Sequence, residues 1–258
     1  MNRGNWILHG LGWGAVLLLL SPVAQTFWIS FSPDSFMTPP IADWSIRWYR
    51  AFFGDPRWVA ATGRSICVAL LAATGSVLAA IPVAIGIHGV TGKSRRWNLS
   101  LFMLPAVFPP AALGTGLLPL MHFAHLWGSM SSMVLIHITL GVPIALLIIG
   151  PHFTSELLEM ESAAHGLGAT SFQVLTRVTL PLTFSGIIAA GISVFVLSLN
   201  ESLVSLFLAT PDNETLPAVI WPQLRYAANP LVAVASCVTT AIGIVGSVAI
   251  YRLLRRVR

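Results

Sequence analysis

Charge is scarce in this chain. Asp, Glu, Lys and Arg together make up 9% of its 258 residues, against about 25% in an ordinary soluble domain. With 55% apolar side chains and a mean hydropathy of +0.80, the composition excludes a water-soluble globular protein and calls for an integral membrane protein. Cysteine is nearly absent. Cys67 and Cys237 lie far apart in apolar runs without C-x-x-C spacing, which argues against a disulfide or a thiolate metal site and leaves both expected to be buried in spans. His122 and His125 lack a third ligand and His137 stands alone, so all three read as interfacial or core histidines. No P-loop or other Gly-rich phosphate cradle occurs, and little polar mass remains for a nucleotide fold. The chain is not expected to be an enzyme or to bind a cofactor of its own.

What the chain does have is apolar length. Six runs, at about 7–29, 60–87, 99–121, 131–150, 183–208 and 231–251, each reach the ~20 residues that span a bilayer as a helix. They predict one all-α, polytopic membrane domain over residues 1–258 with six transmembrane helices. Residues 1–24 have the outline of a signal peptide, but the apolar run continues through Phe27, Trp28 and Ile29, which favours an uncleaved first helix. The net charge of +5 is an orientation signal rather than a nucleic-acid patch. Placing the amino terminus in the cytoplasm puts Arg3, Lys93, Arg95, Arg96, Arg177, Arg252, Arg255, Arg256 and Arg258 inside, and Arg47, Arg50, Arg57, Arg64 and Arg225 outside. That asymmetry predicts a multi-pass inner (plasma) membrane protein with both termini cytoplasmic. Trp28, Trp44, Trp48, Trp58 and Trp221 would then form an outer aromatic belt. Between the first two runs, residues 32–57 hold Pro33, Pro39, Pro40, Asp34, Asp43 and Asp55, and read as an extended lead followed by a short interfacial helix at about 46–53. Residues 91–98 read as a tight basic loop. Pro105, Pro109 and Pro110 must kink or break the third run, which places it against the bundle interior or a pathway.

A polar segment at about 152–182 separates the fourth and fifth runs. Ser155 and Glu156 suit a helix start, Gly166 and Gly168 stop that helix, and Thr170 with Gln173 is a capping-box signature for a second one. Leu180 and Pro181 would then open the fifth span. A loop lying on the inner leaflet should be rich in bases, yet this one has Arg177 against Glu156, Glu159 and Glu161. Docking to another protein is favoured. Here the chain resembles the permease subunits of ATP-binding cassette importers, whose cytoplasmic loop carries E-A-A, three residues, Gly and later Leu-Pro. Ala163, Ala164, Gly168, Leu180 and Pro181 match that pattern. Ser162 holds the motif's glutamate position and Glu161 precedes it. The resemblance implies that Glu161, Ser162, Ala163, Ala164, Gly168, Phe172 and Pro181 couple the chain to an ATPase. It also implies two ATP-binding subunits that hold ATP and Mg, a second permease subunit, and an extracytoplasmic solute-binding protein.

Residues 44–58, 198–201 and 215–230 resemble the polyamine (spermidine/putrescine-type) permeases more specifically. Glu201, in the run SLNESLVSLF, is expected near a helix centre, where an acid costs roughly 2.5–3.5 kcal/mol and therefore faces a cavity or a partner. An interhelical hydrogen bond with no transport role remains open for it. Asn200, Glu201, Arg64, Trp48 and Pro110 form the candidate solute pathway, and Pro110 stands where those permeases carry an acid. Arg64 reads either as a snorkelling side chain or as a contact for the negative end of a zwitterionic solute. A polyamine or related amine is the first expectation and a zwitterion the second. An ion-coupled secondary transporter is the rival class, and the lack of two similar halves counts against it.

Overall fold

The computed structural model describes residues 3–37, 43–90, 92–226 and 229–255, and its regular structure is helical throughout. In chain order the helices are α1 Arg3–Ile29, α2 Arg47–Gly54, α3 Pro56–Ile87, α4 Gly92–Val107, α5 Pro110–Phe123 and α6 Met130–Ile149. They continue with α7 Ser155–Gly166, α8 Ser171–Val174, α9 Leu180–Asn200, α10 Leu203–Leu208, α11 Leu216–Tyr226 and α12 Pro230–Arg255. Pro39, Pro40, Thr91, Arg256 and Arg258, read above as parts of the outer lead, the basic loop and the tail, lie outside the described residues. Among the described residues five helical stretches are long and apolar enough to cross a membrane, and the bent pair of α4 and α5 is a further candidate.

The third run is a broken pair, as Pro105, Pro109 and Pro110 require, with α4 and α5 bent by 96°, while two other elements depart from the expected pattern. Pro109 precedes α5 and Pro110 is its first residue, where a missing N–H is harmless. The basic residues after α3 are not a loop, because Gly89 and Gly92 take φ of +81° and +70° and turn the chain directly into α4. The fifth span runs over Ser171–Asn200, starting and stopping earlier than 183–208.

Contacts divide the chain into two compact units. The larger comprises Ala61–Val219 and Ile242–Arg258. Its core joins α3, α6 and α9 through Ala69, Ala73, Ala80, Ala84, Ala145, Leu146, Ile149, Ala190, Val194, Phe195 and Leu199. With Ser76, the α3 alanines recur every three or four residues and so share one face. Small side chains let helix backbones approach closely in lipid, where no hydrophobic effect drives helices together. The closeness is visible at Gly141 of α6, where a Cβ would collide with Ser76 Oγ and meet Val194 Cγ1 at 2.7 Å. A second cluster of Val68, Met121, Met133, Ile136, Val204 and Leu208 joins α5 and α10 to α3 and α6. Gly63, Cys67, Leu71, Thr74 and Leu78 form the opposite, exposed stripe of α3. Cys67 is therefore an exposed thiol, contrary to expectation, while Cys237 is half-buried.

The smaller unit comprises Met1–Ala60 and Ile220–Ala241. Phe31 sits 5.4 Å from the ring of Trp44 and 5.1 Å from that of Tyr49, and Ser30 Oγ lies 2.9 Å from the Tyr49 hydroxyl. Arg47 donates from Nη1 to the Pro33 carbonyl at 2.6 Å. These contacts fold the lead back onto the end of α1 and set α2, which matches the short helix expected at 46–53. Trp28 stacks on Trp44 with both rings exposed. Trp58 does not join an exposed belt. It is 3% exposed and packs 5.5 Å from Phe52 across a turn in which Asp55 Oδ1 accepts from the Arg57 amide at 2.8 Å.

Candidate functional site

The segment between α6 and α9 is built by capping chemistry. Thr154 Oγ1 accepts from the Leu157 amide at 3.3 Å and starts α7. Hydrogen bonding from the Thr154 hydroxyl, then from the Glu156 backbone, holds the exposed Glu156 carboxyl below its ordinary range. At the other end the Gly168 amide donates to the His165 carbonyl at 2.9 Å and the Ala169 amide to the Ala164 carbonyl at 3.0 Å. Gly168 has φ +88°. This is the paired-bond stop of a Schellman motif, with glycine at the left-handed position. Two residues later Thr170 Oγ1 accepts from the Gln173 amide at 3.3 Å and Gln173 Oε1 from the Thr170 amide at 2.9 Å, the reciprocal capping box expected from the sequence.

From that box the chain does not pause at Leu180 and Pro181. A π-helical turn, Leu175–Thr179, joins α8 to α9, so Pro181 lies inside one helix. Proline cannot donate to the carbonyl four residues back and its ring crowds it. Here that carbonyl belongs to Arg177, within the π turn, where the ladder is already shifted by one residue.

Glu161, grouped above with the docking residues, turns inward. Its Oε1 accepts from Thr179 Oγ1 at 2.5 Å and its Oε2 lies 3.5 Å from His88 Nε2, with the side chain 19% exposed. It fastens α7 to the base of the fifth-span helix and to the residue just past α3, because one residue is about 100° of helix rotation and puts Ser162 outside instead. Ser162 back-bonds to the Leu158 carbonyl at 2.8 Å. Ala163 is exposed and Ala164 half-buried. The outward surface carries Leu167 at 90% exposure and Phe172 at 73%.

The second feature is the end of the fifth span. Asn200 is the last residue of α9, exposed, with Nδ2 donating to the Val196 carbonyl at 2.8 Å. Glu201 is not at a helix centre. It is extended, with φ −74° and ψ 111°, and its Oε1 accepts from the amides of Leu203 at 2.9 Å and Val204 at 3.1 Å. Its carboxylate thus caps α10, and Oε2 has no hydrogen-bond partner among the described residues. Glu201 is half-buried. α10 in turn packs on α5, where a Cβ on Gly114 would come within 3.1 Å of Phe207 Cδ2. The proline break, with the half-buried Pro110, and the Glu201 break therefore belong to elements that adjoin.

Arg64 was expected to snorkel or to meet solute. Instead its Nε donates to the Glu214 carbonyl at 2.8 Å, while Ser65 Oγ accepts from the Leu216 amide at 2.8 Å. Buried Asn213 completes the anchorage, its Oδ1 accepting from the Thr210 amide at 2.6 Å and its Nδ2 donating to the Leu208 and Ser129 carbonyls at 3.2 and 3.3 Å. Trp48 belongs to the other unit, where its Nε1 donates to the Asp34 carbonyl at 3.0 Å and the Arg47 guanidinium lies 4.6 Å from its ring. Sequence reasoning missed Asn213, buried Glu214 and the role of His137. No motif marks them, and their meaning lies in partners 61 to 150 residues away.

Residues 72–258 match the family described as binding-protein-dependent transport system inner membrane component. The chain is 31% identical over 258 residues to the putrescine transport system permease protein PotI of Escherichia coli (strain K12), covering 94% of this chain and 91% of that one. It is 23% identical over 184 residues to the spermidine/putrescine transport system permease protein PotC of the same organism, covering 71% of this chain and 70% of PotC. Its fold is that of a chain in the crystal structure of a bacterial transporter that imports the acidic polysaccharide alginate. The TM-score is 0.70 at 15% identity, over 99% of this chain and 98% of the other.

The Arg64 geometry makes a prediction. Arg64→Gln removes a charge-assisted bond to a part-buried carbonyl and should destabilise the protein by about 1.5–3 kcal/mol, seen as a lowered thermal unfolding midpoint in detergent. An unchanged midpoint together with lost uptake would return Arg64 to a direct role toward solute.

Proposed function

This chain belongs to the inner membrane components of binding-protein-dependent transport systems, the permease subunits of ATP-binding cassette importers, and from that premise we propose that it forms half of the pathway for a polyamine such as putrescine. The observation that carries the mechanism is the Gly168 joint, where a capped α7 meets a helix running unbroken from Ser171 to Asn200. Leu167 and Phe172, exposed at that joint, suit an apolar groove on an ATP-binding subunit. Closure of two such subunits on ATP and Mg moves the joint, and the helix carries the displacement 30 residues to the break at Glu201. There a carboxylate with one oxygen engaged in capping keeps the other for an ammonium group. The names of the relatives support an amine, and the Arg64 bond to the chain's own loop weighs against a zwitterion. A second permease subunit completes the pathway, and an extracytoplasmic solute-binding protein delivers solute to it. The loop and both termini face the cytoplasm in this reading, which rests on the excess of basic residues assigned to that side.

Three outcomes test it. In a Cys67→Ser background, chosen because that thiol is exposed, a cysteine at Ser171 should react with an impermeant maleimide only from the cytoplasm, and one at Asp43 only from outside. Swapped labelling would reverse the topology.

Gly168→Val forces a β-branched residue into the left-handed region, at a cost on the order of 1–2 kcal/mol or more. It should abolish stimulation of the ATPase by loaded binding protein, or block assembly with the ATP-binding subunits, while membrane insertion persists. Wild-type stimulation in this variant would remove the joint from the coupling path.

Glu201→Gln keeps a capping oxygen for the Leu203 and Val204 amides and deletes only the charge. Uptake of putrescine should fall at least tenfold in an assembled complex, whereas Glu201→Ala should also loosen α10. Full uptake by the Gln variant would sink the pathway role of the carboxylate.

A further inference from the structure

His137 of α6 is a buried polar group that the transport reading leaves unused. It is 1% exposed and both ring nitrogens are engaged, Nδ1 at 2.7 Å from Ser198 Oγ and Nε2 at 3.2 Å from Ser205 Oγ. Ser198 lies in the last turn of α9 and Ser205 in the first turn of α10. One imidazole therefore bridges the two sides of the break that contains Glu201. The bonds have a fixed direction. Ser205 Oγ donates to the Glu201 carbonyl at 3.0 Å, so it must accept from His137 Nε2–H, which leaves Nδ1 to accept from the Ser198 hydroxyl. A neutral ring with its hydrogen on Nε2 thus satisfies Ser198, His137, Ser205 and the Glu201 carbonyl in one directed chain. Across the same gap the Glu201 amide reaches the Ser198 carbonyl only at 3.4 Å, so the backbone alone holds the break weakly.

We propose that His137 is the positioning residue of the pathway, a staple that sets the angle between α9 and α10 and so fixes where the Glu201 carboxylate is presented. This rests on the pathway reading for Glu201 only in its consequence for transport, since the staple itself is a matter of geometry. Replacing the ring by an apolar side chain leaves Ser198 and Ser205 without their shared partner in a dry interior, where their alternative is to back-bond within their own helices. The two helices would then be free to pivot at Glu201 and Ser202.

The test uses the full complex in nanodiscs, with spin labels on Leu182→Cys and Leu203→Cys in a Cys67→Ser background, one on each side of the break. Wild type should give a single narrow distance distribution. His137→Leu should broaden or shift it and raise the KM for putrescine at least fivefold, with a smaller change in maximal rate. His137→Asn and His137→Gln, which keep an amide near the Nδ1 or Nε2 position, should restore part of both. Where His137→Leu does not assemble, Ser198→Ala and Ser205→Ala each remove one arm of the staple and should broaden the distribution. An unchanged distribution in the variants that assemble overturns the proposal. Wild-type uptake by Glu201→Gln alongside a broadened His137→Leu distribution overturns the pathway role while the staple stands.

Discussion

The absence of water from the bilayer interior is the constraint on which the rest of this structure depends. Each backbone N–H and C=O within it must find a partner in the protein. Helices meet that demand along their length, and the hydroxyls of Thr74, Thr139 and Ser236 do so by bonding carbonyls four residues back. Where a helix stops inside the bundle, side chains must take over. At the break between α4 and α5, Pro109 and Pro110 have no N–H to leave unpaired. At Glu201 a carboxylate oxygen takes the first amides of α10, and Ser205 covers a carbonyl.

The same logic shapes the turn between α7 and α8. It is closed by a Schellman stop on one side and a capping box on the other, so the two helices meet in a defined geometry with little slack between them. Glu161 then fixes α7 against Thr179 and close to His88. Tight packing of α6 on α3 and α9 at Gly141 ties the long helix to its neighbours. A push at Leu167 or Phe172 would reach the core of the larger unit as a rigid displacement, because packed cores shift as bodies rather than deform continuously.

Much of this was legible in the sequence, and the remainder was hidden for physical reasons. Thr170, Gln173 and Gly168 announced their roles because capping and left-handed turns are local chemistry. The apolar runs located the first, second, fourth and sixth spans. The break at Glu201 was hidden, since SLNESLVSLF contains neither Pro nor Gly and glutamate is not among the preferred capping residues. Pro181 was read as a helix start because proline usually is one, and only the π turn ahead of it permits continuity. Glu161 and Ser162 sit one residue apart, and which of them faces out is decided by Thr179 and His88, too far along the chain for spacing to reveal. The small-residue face of α3 left Cys67 on the opposite stripe, so a cysteine inside a span proved exposed.

The most direct measurement is solute accumulation in proteoliposomes that contain this chain, its partner permease and the two ATP-binding subunits, with binding protein and labelled putrescine on the outer side. The account predicts uptake that requires ATP in the lumen and binding protein outside, and that persists when ionophores collapse ion gradients. Uptake that ignores ATP and follows an imposed ion gradient would contradict it.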